Sequence, residues 1–165
     1  MGILNAAVWC GAAIFLTVGL PAVFSPHLKQ LLTDPGVGYA AEAIVARFFL
    51  LQYCCVNIAL VHLAVETVYL NRAFPRLNLG LLIALAAVAL AGGLWAQPRM
   101  TELHTTKYFG RTVEERTRAG QEFAMWHGAS EAVNLLAIGG LILYLWRVSG
   151  PGEQARFGFF PKIRG

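Results

Sequence analysis

The chain has 165 residues, of which 57% are hydrophobic and 13% are charged. Soluble domains carry about 25% charged residues, so this composition argues against a water-soluble protein. The formal net charge of +4 does not indicate nucleic acid either, because the basic residues flank apolar segments and form no single basic surface. The partner that this distribution favours is the lipid bilayer.

Four long apolar segments occupy most of the chain. In hydrocarbon, a helix lets a single segment satisfy its own backbone polar groups, and about 20 residues are needed to cross. The segments predict membrane spans at about residues 3–24, 44–69, 77–97 and 121–147. We therefore expect an all-α fold, an integral membrane four-helix transmembrane bundle over residues 1–150, with a polar C-terminal tail over residues 151–165.

Prolines, glycines and polar residues mark the connections between the spans. The run Asp34-Pro35-Gly36-Val37-Gly38 is typical of a turn, and we place it before the second helix. Thr101 to Gln121 is the longest polar segment, and within it Thr112 and Glu115 have the spacing of a capping box. The fourth helix is therefore expected to begin outside the membrane.

The third span is rich in small residues, including Gly80, Gly92 and Gly93. Small side chains let helices approach closely in lipid, which predicts a tightly packed third helix. Lys and Arg are nearly balanced between the two ends of the bundle, but the short loop after the second span is basic without acids. Because Lys and Arg near helix ends favour the cytoplasm, we expect both termini on that side.

Polar residues cluster on one face of the second helix and on one face of the fourth. At 100° per residue, a single arc of the second helix carries Gln52, Cys55, His62 and Glu66. A similar arc of the fourth helix carries His127, Ser130, Glu131 and Asn134. An ionisable group within a membrane helix costs roughly 2.5–3.5 kcal/mol, so we expect these groups to turn inward and to find partners.

Both helices contain His-x-x-x-Glu, a spacing that lets imidazole and carboxylate touch. One interpretation is that each pair neutralises itself inside the bundle, with Asn and Ser as hydrogen bonds between helices. The other is a metal or haem site, although His62 and His127 lie about 15 Å apart in depth, which disfavours a haem between them. The metal candidates are His104, His127 and Glu131, with His104 as the expected companion of His127.

The end of the bundle near His104 is rich in charge. It also holds Arg47, Arg99, Glu102 and Glu122. Such a group would bind an anion, a metal or a lipid headgroup, or it would form a structural network of ion pairs. Arg47 with Glu122 is the salt bridge that we expect there.

Catalytic motifs are absent from the sequence. It contains no GxSxG, HExxH or Walker loop, and its three cysteines lie in apolar stretches without CxxC spacing. We expect no catalytic activity and predict no cofactor.

Two segments in the second half of the chain form a recognisable pattern. They are Gln97-Pro98-Arg99-Met100-Thr101-Glu102-Leu103-His104 and Phe123-Ala124-Met125-Trp126-His127-Gly128-Ala129-Ser130, the latter followed by Asn134-Leu135. With a Pro-Arg pair ending the third helix and an HGxSxxxN pattern opening the fourth, the chain resembles the transmembrane protein 205-like family, also catalogued as a domain of unknown function. In helix number and spacing the resemblance extends over essentially the whole chain.

The resemblance implies a polar motif in the membrane, formed by Pro98, Arg99, His127, Gly128, Ser130 and Asn134. It also implies a four-helix membrane protein without a settled biochemical activity, whose animal members are associated with resistance to platinum drugs and with secretory traffic. Outside that pattern lie His104, Glu131 and the second polar face of Gln52, His62 and Glu66, whose roles rest on the physical argument alone.

Three hypotheses for the function remain open. The first is a small noncatalytic multi-pass membrane protein that acts as an accessory or assembly subunit, as a homo-oligomer or in a larger complex, because small-residue faces favour helix association. The second is an ion or small-solute transport protein that uses the polar faces of the second and fourth helices. The third is a metal- or haem-binding membrane redox component.

Overall fold

The computed structural model describes residues 2–24, 34–69 and 76–149. Every regular element within them is helical, which confirms the predicted all-α fold. In chain order the elements are an α-helix Gly2–Ile14, a π-helical turn Phe15–Gly19, and α-helices Leu20–Val23, Asp34–Tyr69 and Arg76–Ala91, then a π-helical turn Gly92–Ala96 and α-helices Gln97–Phe109 and Val113–Ser149. The predicted tail over residues 151–165 lies outside the described residues.

These elements join into four continuous helices, each long and apolar enough to cross a membrane. We call them the first helix (Gly2–Ala22), the second (Pro35–Tyr69), the third (Arg76–Phe109) and the fourth (Val113–Ser149). The first, with 21 residues, just matches a bilayer, whereas the others, with 35, 34 and 37 residues, are much longer. Three of the four helices therefore extend beyond the hydrocarbon and beyond the predicted spans.

The prediction of a turn at residues 34–38 was wrong, because the α-helix already begins at Asp34. Proline is tolerated in the first turn of a helix, since the N–H that it lacks would have had no partner there. An Asp-Pro pair is thus also a helix-start signal, and the sequence alone did not decide between the two interpretations.

The predicted capping box is confirmed at the start of the fourth helix. The backbone N–H of Glu115 donates to Oγ1 of Thr112 at 3.1 Å, and the N–H of Thr112 donates to Oε2 of Glu115 at 3.3 Å. The preceding helix closes at Gly110, whose N–H donates to the carbonyl of Thr106 at 2.8 Å. The third and fourth helices are therefore joined by a tight connection with satisfied backbone groups.

All four helices contribute to one apolar core. Trp9, Leu82 and Leu141 are its largest fully buried side chains. The second helix adds Cys55, Val56 and Ala59. Two polar side chains, Asn5 and Gln52, are buried beside this core, and Nδ2 of Asn5 donates to the carbonyl of Cys55 at 2.9 Å.

The third helix packs closely at two of its three glycines. A Cβ on Gly92 would lie 2.6 Å from the ring of Phe49, and the hydroxyl of Tyr53 fills the corresponding space at Gly93. At these positions, aromatic side chains of the second helix fill the space that the two glycines leave open. Gly80 has no atom within 4 Å of a Cβ and faces away from the bundle.

Three of the four tryptophans, Trp95, Trp126 and Trp146, indicate where the bilayer ends. Trp126 and Trp146 lie 20 residues apart on the fourth helix, which is roughly 30 Å and matches the hydrocarbon core. Trp95 packs edge-on against Trp126, with ring centroids 5.0 Å apart. Since tryptophan favours the headgroup level, one boundary lies near Trp95 and Trp126 and the other near Trp146.

Two ends of the bundle follow from these boundaries. We call the end of the bundle that holds Gly2 and Ser149 the terminal end. There, Gly2 packs against His62 and Val148. Beyond the opposite boundary, three helices extend into the headgroup and water region, and we call this part the hairpin cap: residues 34–47, 97–109 and 113–122. The cap and the terminal end hold separate groups of polar side chains.

Candidate functional site

The residues of the second polar face lie in two separate places, Gln52 in the core and His62 with Glu66 at the terminal end. Gln52 is buried in the core, about 15 Å along the helix from His62. Nδ1 of His62 lies 3.9 Å from Oε1 of Glu66, and both side chains are about one-third exposed. The four residues predicted to share a face therefore do not form one site.

A small cavity lies beside the His62–Glu66 pair. Its volume is about 30 Å³, and Asn78 and Tyr144 also line it. A water molecule needs roughly 10–15 Å³ in this measure, so the space suits one or two waters and no larger solute. Nearby, Nε of Arg147 donates to Oδ1 of Asn78 at 2.6 Å and links the third and fourth helices.

His104 is the buried centre of the hairpin cap, with only 5% of its surface exposed. Its Nδ1 atom lies 3.4 Å from Oε1 of Glu42, close enough for an electrostatic contact, although the two atoms form no hydrogen bond. The rings of Tyr39 and Tyr108 pack edge-on against its imidazole, with centroids 5.3 and 5.0 Å away. His104 thus joins the second helix to the third.

Phe123 lies between His104 and His127. Its ring centroid is 5.8 Å from that of His104 and 5.9 Å from that of His127. The prediction that these two histidines form a pair was therefore wrong. Spacing along the sequence placed both at the same end of the bundle, but it could not show that an aromatic ring separates them.

Arg99 joins the two long helices of the cap through carboxylates. It donates to Glu102 at 2.7 Å and to Glu122 at 3.1 Å, and Arg118 donates to the other oxygen of Glu122 at 3.0 Å. The expected pair of Arg47 with Glu122 was wrong, because within the described residues Glu122 binds these two arginines instead. The charged side chains of this network pair with one another, so a structural role explains it most simply.

The HGxSxxxN pattern of the fourth helix divides into inward and outward residues. Asn134 donates to Oγ1 of Thr17 on the first helix at 2.6 Å, and the Ser130 hydroxyl contacts the Met100 sulfur at 3.7 Å. Gly128 is exposed and has no atom within 4 Å of a Cβ. Pro98 is the second residue of the α-helical segment Gln97–Phe109, which follows the π-helical turn of the third helix.

The His127–Glu131 pair faces out of the bundle. Nε2 of His127 lies 3.2 Å from Oε1 of Glu131, and the side chains are 55% and 62% exposed. The expectation that ionisable groups of the fourth helix turn inward was therefore wrong for this pair. Helical spacing shows that two residues share a face, whereas packing decides where that face points.

The arrangement of these polar groups argues against two of the three functional hypotheses, the transport protein and the metal- or haem-binding redox component. The His62–Glu66 pair lies at the terminal end and the His127–Glu131 pair on the outer surface, so the polar faces of the two helices do not meet in one path. Within residues 2–24, 34–69 and 76–149, no three His, Cys, Asp or Glu side chains are grouped to hold a metal ion. Among the described residues, a metal ion held by a single copy would have two such ligands at most.

Three residues that connect helices were not predicted from the sequence. Gly38 and Glu42 contact His104, but residues 34–38 were interpreted as a turn and Glu42 was left without a role. Thr17 pairs with Asn134, although a threonine in an apolar helix usually bonds to its own backbone and gives no signal of a partner. The helix-start signal at Asp34-Pro35 was a clue that the second helix contributes to the cap.

The fold and these polar groups define a four-helix membrane protein whose ion pairs lie at the two ends and on one outer face, with a few hydrogen bonds between helices inside the bundle. A sequence-family profile described as a domain of unknown function, DUF4149, matches residues 4–108. The match covers more than half of the chain, and the chain belongs to this family. The matched segment covers the first three helices and ends before the HGxSxxxN pattern. Comparison with curated proteins and with solved structures gives no match.

Proposed function

We propose that this protein is a noncatalytic membrane assembly subunit that associates with a second copy of itself through the outer face of its fourth helix. The observation that carries the proposal is the outward position of His127 and Glu131, which would otherwise meet lipid. Glu131 lies five residues from Trp126, or roughly 7 Å inside the membrane boundary. An exposed carboxylate at that depth is costly, and a second protein surface would shield it.

Small residues surround this pair. At 100° per residue, an arc of about 140° between residues 124 and 139 contains seven exposed residues, which we call the assembly face: Ala124, His127, Gly128, Glu131, Ala132, Leu135 and Gly139. Neither Gly128 nor Gly139 has an atom within 4 Å of a Cβ. Small residues spaced by four positions let two helices approach closely, which is how helices associate in lipid.

The same chemistry favours a second copy as the partner. A histidine and a glutamate on one face are complementary to the same two residues on an identical chain turned by a twofold axis. Each His127 would then lie near the partner copy's Glu131, so each carboxylate would have a polar neighbour across the interface.

Two narrower statements belong to this proposal. The first is that both termini lie in the cytoplasm, for which the basic loop after the second helix is the support. The second is membership of the transmembrane protein 205-like group, supported by the Pro98-Arg99 pair and the HGxSxxxN pattern.

Cysteine cross-linking in native membranes tests the assembly face. In a variant whose native cysteines are replaced by alanine, Gly128→Cys and Gly139→Cys should form covalent dimers under mild oxidation. Gly11→Cys is the matched control, because Gly11 is also exposed with no atom within 4 Å of a Cβ, but lies on the first helix. Equal cross-linking at Gly11, or none at Gly128 and Gly139, would refute the proposal.

A further inference from the structure

We infer that two copies of this protein bind one divalent transition-metal ion between them, with His127 and Glu131 of each copy as its ligands. The inference rests on the proposed function, because it needs the fourth helices of two copies to face each other. Imidazole nitrogen and carboxylate oxygen are both suitable ligands for zinc and related ions.

The geometry within one copy already suits a shared ion. Zinc binds imidazole and carboxylate at about 2.0–2.2 Å, so two ligands of a tetrahedral ion lie roughly 3.4 Å apart. Nε2 of His127 and Oε1 of Glu131 lie 3.2 Å apart, so both can reach one ion with little movement. The imidazole is also held in place, since it stacks on Phe123 at an interplanar angle of 7°.

The number of ligands requires a second copy. One chain offers two, and among its described residues no third His, Cys, Asp or Glu joins a metal-binding group with them. Zinc in a protein usually has four ligands. A twofold axis through the assembly face would supply the remaining two from the same positions of the partner copy.

Electrostatics favours an ion at this interface. Bringing two copies together places two Glu131 carboxylates near each other inside the membrane boundary, where like charges repel strongly because the dielectric constant is low. A divalent cation cancels both charges, and two neutral imidazoles complete the site without adding any. His127 follows Trp126 at the headgroup level, so the ion can enter from the aqueous side.

The second His-x-x-x-Glu pair shows why position matters more than motif. Its His62 packs against Gly2, and its Glu66 faces the small cavity that Tyr144 also lines. This pair cannot face a partner copy through the assembly face. It therefore provides a control with the same two residue types at the same spacing.

The experiment measures how the dimer dissociation constant depends on zinc concentration, with zinc as the one added metal. The protein without native cysteines is labelled with donor and acceptor fluorophores, reconstituted in lipid vesicles and titrated with zinc chloride or EDTA, while bound zinc is counted by metal analysis. At a zinc concentration of about 100 times its Kd, the dimer dissociation constant should fall about 100-fold, with one ion per two chains. His127→Ala and Glu131→Gln should abolish this response, whereas Glu66→Gln should leave it intact.

Failure of the metal site and failure of the assembly face give different results. Dimers that ignore both zinc and EDTA would refute the metal site and leave the assembly face standing. Zinc bound at one ion per chain, or bound equally by His127→Ala, would also refute the site. Failure to dimerise under every condition, together with absent cross-linking through Gly128, would remove both proposals. Circular dichroism confirms that each variant keeps its helices.

Discussion

The imidazole of His104 occupies the space that a side chain on Gly38 would need. These residues lie on the third and second helices, and their contact lets the start of the second helix approach the third helix closely. Glu42, one turn further along, contacts the same imidazole at 3.4 Å. Two successive turns of the second helix therefore pack against a single histidine.

Gly38→Ala should destabilise the protein. The new methyl group would overlap His104, whose ring is held between Tyr39, Tyr108 and Phe123, so relief requires movement of the helices. Overpacking of this kind lowers the free energy of unfolding by roughly 1–3 kcal/mol. Denaturant unfolding in mild detergent, followed by circular dichroism, measures the change.

Gly120→Ala is the matched control for that experiment. A Cβ there meets only Lys107, with the nearest atom at 3.8 Å, and should raise helix stability by up to about 1 kcal/mol. If both alanine variants were equally stable, the close contact between His104 and Gly38 would not exist in solution.

The hydrogen bond from Asn134 to Thr17 should couple the fourth helix to the first. A double-mutant cycle of Asn134→Leu and Thr17→Val should give a coupling free energy of roughly 0.5–1.5 kcal/mol, the range found for such bonds within membranes. Asn57→Leu serves as the control, because its side chain donates to Tyr53 of its own helix. Additive effects of the first two substitutions would contradict the contact.

Thr112→Ala should remove the cap of the fourth helix. Its Oγ1 accepts from the N–H of Glu115, and loss of such a cap costs about 1 kcal/mol of stability. Thr117→Ala tests a threonine on the same exposed surface whose hydroxyl donates to the carbonyl of Val113 within the helix, and it should be close to neutral. Amide hydrogen exchange at residues 113–118 should accelerate in the first variant only. Equal protection in both would mean that the capping box does not stabilise the turn.

Arg111→Cys should reveal the orientation in the membrane. Arg111 lies at the tip of the hairpin cap, so with both termini in the cytoplasm a membrane-impermeant maleimide should label it from outside intact cells. Leu136→Cys, which is 78% exposed but lies between the boundary tryptophans, should stay unlabelled because it faces lipid. Labelling of Arg111→Cys solely after cell lysis would reverse the proposed orientation.

The number and type of the main elements could be predicted from the sequence because hydrocarbon leaves a long apolar segment no structure other than a helix. The capping box was equally predictable, since Thr112 and Glu115 act over three residues of one chain segment. Helix ends were harder. Hydropathy indicates where the lipid-facing segment of a helix ends. It does not show whether the helix continues into water, as the second and third helices do.

Amino-acid order by itself thus determined that the chain forms membrane-spanning helices and that each His-x-x-x-Glu pair shares a helical face. Tertiary structure decided that His62 and Glu66 turn towards Gly2 and a small cavity while His127 and Glu131 turn outward. The physical reason is that periodicity specifies which residues lie together on a helix, whereas the rotation of that helix depends on how its whole surface packs against its neighbours.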